Sequence, residues 1–247
     1  MGSFADARSR GGRWLLRMED LDASRVIPGC AERMLRMLEA FGLTWDGAVE
    51  YQSARTHHYG EALATLEALG LTFECSCTRA ERNADGGYPG TCRNGPKSRG
   101  ATATRFRVDD GTVCFEDRGQ GECRFELRER GDVIIRRRDG AFAYQLAVVV
   151  DDALQGALRL PTPHYLHLPL VTEPGGAKLA KARRSVALDP RASGRELHEA
   201  LRLLNQDPPD TLKLESPSRV LEWACAHWEL DRFHGVREVR ATTPGAD

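Results

Sequence analysis

The 247-residue sequence has no excess of either charge sign: 35 lysines and arginines face 36 aspartates and glutamates, a formal net charge of −1. Overall charge therefore gives no argument for a polyanionic partner. It also lacks any apolar run near the ~18 residues that a membrane-spanning helix needs, so no membrane association is expected. The residues after Met1 do not read as a secretory signal, and a cytoplasmic location is the expectation. There is no internal repeat and no low-complexity tract, and neither a Walker motif nor a dinucleotide fingerprint occurs. Lysine is scarce: of the 35 basic residues only Lys97, Lys178, Lys181 and Lys213 are lysines. Where arginine serves almost everywhere else, each lysine is informative.

What is present is an ordinary globular composition, 41% apolar and 29% charged. A chain of this length buries a full core in one large domain, or in one domain with a small appendage. "RWLLRMEDLD" (13–22) reads as a buried strand ending in carboxylates. Cys30, Met34, Leu35, Leu38 and Phe41 recur at helical spacing, with Gly42 placed to end that helix. A second helix fits 55–69, and "LTFEC" (71–75) reads as a strand. Alternating strand and helix point to a parallel sheet.

The middle of the chain reads as β structure. Residues 102–108 and 111–118 suggest a hairpin across Gly111, and 132–137 and 142–152 suggest two strands around Asp139-Gly140. A further strand fits 164–171. The last sixty residues read as helical, with a capping box at Ser193 and Glu196 and a second helix opened by Ser216-Pro217.

Two segments carry chemistry. "ECSCTRAERNADGGYPGTC" (74–92) holds Cys75, Cys77 and Cys92, three of seven cysteines. In a reducing compartment such a cluster is a metal site or a set of free thiols rather than a disulfide. Zinc wants four donors in a tetrahedron. No histidine lies in the loop, so Tyr88, Asp85 and Glu81 stand as candidates for the fourth position, beside the alternative of three buried thiols. In the second segment, "GGAKLAK" (175–181), glycines let the backbone approach a phosphate and Lys178 and Lys181 supply compact cations. The alternative there is a solvated basic loop.

Taken in order, "RWLLRMEDLD" with Arg25, "GLTWDG", "YQSAR", "CSCTR…YPGTC", "RRRDGAFAYQLAVVVDD" and "HYLHLPL…GGAKLAK" resemble the glutamyl-queuosine tRNA(Asp) synthetases, short paralogues of glutamyl-tRNA synthetase. The likeness runs from about residue 2 to 230. It implies an α/β fold, a class I aminoacyl-tRNA synthetase catalytic domain of Rossmann type, with a zinc-containing insertion and a helical C-terminal part. The catalytic domain would comprise 1–74, its truncated first part, and 131–185, its second part with the lysine loop, with the zinc-loop and acceptor-binding-like insertion over 75–130 and the helical part over 186–247. It implies ATP-dependent activation of L-glutamate, with magnesium, and transfer to queuosine in tRNA(Asp), by a monomer. By matching motif, Cys75, Cys77, Tyr88 and Cys92 become zinc ligands, Glu19 and Tyr144 contact glutamate, and Lys181, with Lys178, serves the ATP phosphates. Ala180 replaces a serine of that signature.

Two departures accompany the likeness. The family opens with a strand and a histidine-containing nucleotide loop, whereas "MGSFADARSRGG" matches only the end of the helix after it. After Gly156 the chain also passes directly to "ALRLPTPHY", where the family carries an Arg-Gly-Ala-Asp-like segment whose arginine holds glutamate. The sheet is therefore expected to be incomplete, with little or no adenylation activity. A non-catalytic zinc-containing tRNA-binding remnant, or a fragment of a glutamyl-tRNA synthetase, is the alternative.

Overall fold

The computed structural model describes residues 1–81, 87–157, 164–173, 176 and 188–241. The first part runs α1 (Gly2–Ser9), β1 (Arg17–Met18), α2 (Cys30–Ala40), β2 (Glu50–Tyr51), α3 (Thr56–Ala68) and β3 (Thr72–Cys75). β1 and β2 pair in parallel, Arg17 opposite Glu50 and Met18 opposite Tyr51. Gly42, at φ 71°, takes the left-handed turn that stops the chain after α2. The strand expected over 13–22 contracts to β1. The extended residues before it are held instead by a loop: Trp14 N donates to Asp46 Oδ2 at 2.8 Å, and Asp46 N donates to Trp14 O at 2.8 Å.

The middle comprises β4 (Ala103–Phe106), β5 (Thr112–Asp117), β6 (Gly121–Glu126), the short α4 (Leu127–Arg130) and β7 (Val133–Arg136). The expected pairing of 102–108 with 111–118 is not formed. β4 lies antiparallel between β3 and β7, and β5 pairs with β6. The reason is a tighter local turn. Asp117 Oδ1 accepts from Gly119 N and Gln120 N, both at 2.9 Å, closing the β5–β6 hairpin through an Asx-type turn.

The segment 142–152, expected as a strand, is the helix α5 (Tyr144–Ala157). "AVVV" is a short apolar run, for which periodicity cannot separate strand from helix. Packing decides: Leu146 and Ala147 turn inward onto Tyr59 and Leu63 of α3 and Ile135 of β7, with Val150 beside them. Tyr144 and Val149 face outward.

The remaining elements are β8 (Leu170–Thr172), α6 (Ser193–Leu203), α7 (Pro217–Ala226) and β9 (Glu238–Arg240). The strand expected over 164–171 starts only at Leu170. It pairs in parallel with β9, so the last sixty residues are not purely helical. Ser193 is the first residue of α6 rather than its cap. Glu196 Oε1 accepts from Asp189 N at 2.9 Å, while Asp189 caps the preceding turn. Ser216 caps α7 as expected. One core gathers α1, α6 and α7 around Phe4, Leu197, Leu201 and Val220, and a second lies between α3, β7 and α5. Among the described residues, no helix is long and apolar enough to cross a membrane.

Asp117 also anchors the hairpin tip to the segment before β8, its Oδ2 lying 2.6 Å from His167 Nδ1. Burial pushes this carboxyl up, but the bonds from His167, Gln120 and Gly119 outweigh it and hold it at about 2. The folded protein thus prefers the anion. That stability is complete above the ordinary aspartate value of about 3.9 and is lost as pH falls through the folded value. Asp117→Asn is expected to cost about 1–3 kcal/mol at neutral pH. Its stability, followed by urea unfolding, should fall less steeply than the wild type's between about pH 4 and pH 2.

Candidate active site and metal centre

In a parallel pair, ligands sit beyond the carboxyl ends of the strands. There, past β1 and β2, a cleft of about 1000 Å³ opens. It is lined by Glu19 after β1, Gln52 after β2, Tyr144 at the start of α5, and Cys75 and Cys77 at the end of β3. Glu19 and Tyr144 therefore share one cavity, and the C-x-C turn forms part of its wall. Asp22 and Arg137 also line it. The Ser24 hydroxyl, Arg137 and Arg25 all bond to Asp22 and hold its carboxyl well below the usual range. Arg138 donates to the carbonyls of Ser76 and Cys77, tying the cysteine turn to the loop that leads into Tyr144.

Beneath the cleft lies Asp151, fully buried. Its carboxylate receives Arg55 Nε at 2.7 Å, Gln52 Nε2 at 3.0 Å and the Tyr59 hydroxyl at 3.0 Å, with Arg17 Nε at 3.9 Å. Burial, reinforced by the Asp151 bond, pushes the Tyr59 phenol well above its ordinary value. This carboxylate clasps α5 to α3, to the turn before it and to β1, the elements that carry Tyr144, Gln52 and Glu19.

The sulfurs of Cys75, Cys77 and Cys92 lie within 4.8 Å of one another. Tyr88 joins them: its hydroxyl is 3.5 Å from Cys75 Sγ and 3.8 Å from Cys77 Sγ, and it accepts from Cys92 N at 2.8 Å. Cys77 and Cys92 sulfurs are 3.5 Å apart. Four donors on a tetrahedron around zinc, at bond lengths near 2.0 Å for oxygen and 2.3 Å for sulfur, would stand roughly 3.5–3.8 Å from one another. The donor set fits such an ion. Gly131, at φ 65°, lets the Tyr88 backbone pass close by, since a Cβ there would stand 2.7 Å from the Tyr88 carbonyl oxygen. The Arg105 guanidinium lies over the Tyr88 ring, 3.7 Å from its centroid.

The protonation states are unequal. Burial pushes the Cys92 thiol up, but hydrogen bonds from the Ser76 backbone and the Tyr88 hydroxyl outweigh it, bringing it to about 6. Burial pushes Cys77 up, and burial and the Cys75 thiol push the Tyr88 phenol up. Cys92 is thus the ready thiolate, while a bound cation would have to displace the Tyr88 proton.

Lys178 and Lys181 lie outside the described residues, as do residues 82–86, Asp85 among them. Glu81, the other candidate ligand, instead accepts from Thr78 N at 2.7 Å and pairs with Lys97. Sequence reasoning assigned no role to Gln52 or Asp151. Their signal was present in "YQSAR" and "VVVDD", which carried the resemblance without a chemical reading.

The family of class I tRNA synthetases (E and Q), catalytic domain, matches residues 1–86 of this chain. The glutamyl-Q tRNA(Asp) synthetase of Thiobacillus denitrificans is 46% identical over 262 aligned positions, covering 94% of this chain and 87% of the relative. That of Ectopseudomonas mendocina is 44% identical over 263, covering 97% and 90%. Both alignments exceed the chain's own 247 residues, so these relatives carry residues without a counterpart here. Among solved structures, a glutamate-tRNA synthetase from Elizabethkingia anophelis superposes with a TM-score of 0.72 at 19% identity, over 98% of this chain and 63% of that one. The fold is that of the class I tRNA synthetases, and this chain spans under two thirds of that solved chain.

Proposed function

This chain belongs to the glutamyl-Q tRNA(Asp) synthetase family, and from that premise we propose that it activates L-glutamate with ATP and transfers it to queuosine in the anticodon of tRNA(Asp). The observation that carries the reading is a single cleft lined by Glu19, Tyr144 and the Cys75–Cys77 turn. Glu19 takes the substrate's ammonium and the Tyr144 hydroxyl gives it a further contact. The substrate carboxylate attacks the α-phosphorus of ATP, a new C–O–P linkage forms, and pyrophosphate leaves. Rate in such a step comes from positioning and from neutralising phosphate charge. Lys181, with Lys178, supplies that charge in this reading. Residues 75–130 form the unit that meets the RNA, and zinc held by Cys75, Cys77, Tyr88 and Cys92 braces it. The reading includes a cytoplasmic monomer using magnesium-bound ATP.

Glutamate-dependent ATP–pyrophosphate exchange, followed by transfer of labelled glutamate to tRNA(Asp) with and without queuosine, tests it. Exchange is expected, with transfer only to the queuosine-containing RNA. One observation favours a second reading, the relatives' residues that have no counterpart here. On that reading the chain is a non-catalytic zinc-containing tRNA-binding remnant, which would retard the tRNA in a gel and give no exchange.

A further inference from the structure

Glu19 and Gln52 occupy equivalent positions, each following its strand of the parallel pair, one residue past the Met18–Tyr51 partners. The next residues are locked together, Ser53 N and Oγ donating to Asp20 at 2.8 and 2.6 Å. Both residues follow neighbouring strand ends and line the same cleft. Gln52 is 1% exposed, and its Nε2 donates to Asp151, a carboxylate already paired with Arg55. A carboxylate can only accept, so this contact fixes which end of the planar amide is nitrogen. The carbonyl Oε1 is the end left over, and among the described residues no donor is paired with it.

We propose that Gln52 Oε1 is a specificity-determining acceptor for the ammonium of the amino-acid substrate, acting beside the Glu19 carboxylate with Asp151 as the group that orients it. The proposal rests on the cleft being the glutamate site. An ammonium has three donors and no acceptor, so a wall offering one charged and one neutral oxygen is complementary to it. Gln52 is fixed in place by the clasp below, so no side-chain ordering is needed when the substrate arrives.

The test is calorimetric binding of L-glutamate and of glutarate, which keeps both carboxylates and lacks the ammonium, to the full chain. Gln52→Met, of similar length but unable to accept strongly, is expected to weaken L-glutamate about tenfold to a hundredfold, the worth of one hydrogen bond to a charged group. Its glutarate affinity should equal the wild type's. Unfolding curves establish that the variant is folded. If it is not, Gln52→Asn, which draws the amide back by one methylene, should give the same selective loss. A variant that binds both ligands as the wild type does overturns the proposal alone. Equal weakening of both ligands also overturns it, because Gln52 then acts only through the fold. A wild type that binds no L-glutamate overturns the reading of the cleft and the proposal with it.

Discussion

Asp151→Ala is expected to lower the unfolding free energy by about 3 kcal/mol, toward the lower end of what breaking a buried ion pair costs. The carboxylate is fully buried and serves four partners. Removing it leaves the Tyr59 hydroxyl and the Gln52 amide, both buried, without their acceptor. It also takes one counter-charge from each of Arg55 and Arg17, which keep Glu50, and Asp152 with Glu19, respectively. Each arginine side chain keeps 21% exposure, so water relieves part of the cost, which is why the low end is expected. A loss of this size is a large fraction of the ~5–15 kcal/mol that holds a domain folded. Urea unfolding of Asp151→Ala, Asp151→Asn and Arg55→Leu, with the double variant, measures it. Asparagine should fall between wild type and alanine, since it keeps the volume but presents an NH₂ to donors. An alanine variant within about 0.5 kcal/mol of wild type, the scale of an ordinary surface change, would show that the clasp is not structural.

The second large effect concerns the metal. Purified wild type is expected to carry one zinc per chain, measured by plasma emission, and Cys92→Ser and Cys75→Ser to carry none. Ligand binding and folding are one process in small zinc sites, where the apparent binding energy is about 10–16 kcal/mol in peptides. Chelation should therefore loosen the module around β3 and the Cys92 loop first, since its small core of Phe73, Cys75, Tyr88 and Cys92 is made largely of the proposed ligands themselves. Tyr88→Phe separates a phenolate ligand from a mere neighbour. It keeps the ring under Arg105 and removes only the oxygen, and it should weaken zinc by more than the ~10–100-fold typical of outer-shell partners. Wild type purified without stoichiometric metal from zinc-replete medium would return the cluster to three buried thiols.

Legibility followed sequence separation. α2, α3 and β3 were readable because apolar spacing and a following glycine are local signals, and the same held for Ser216-Pro217 opening α7. The ligand candidates were readable because residues 75 to 92 form one loop. The hairpin and α5 were misread for opposite reasons. At the hairpin, two turns competed and an aspartate side chain selected the second. In α5, a β-branched run carried strand propensity that packing on α3 and β7 overrode.

By itself the sequence determined the family, the alternating class of the first part, the four clustered donors and the pairing of Glu19 with Tyr144 as substrate contacts to be tested. Only the tertiary structure decided that those two, Gln52 and the cysteine turn share a cleft, and that the Gln52 amide nitrogen is bound to Asp151. The amide's orientation depends on Asp151, 99 residues away in the chain. A hydrogen bond between such distant partners has no local pattern and exists only once α5 has docked.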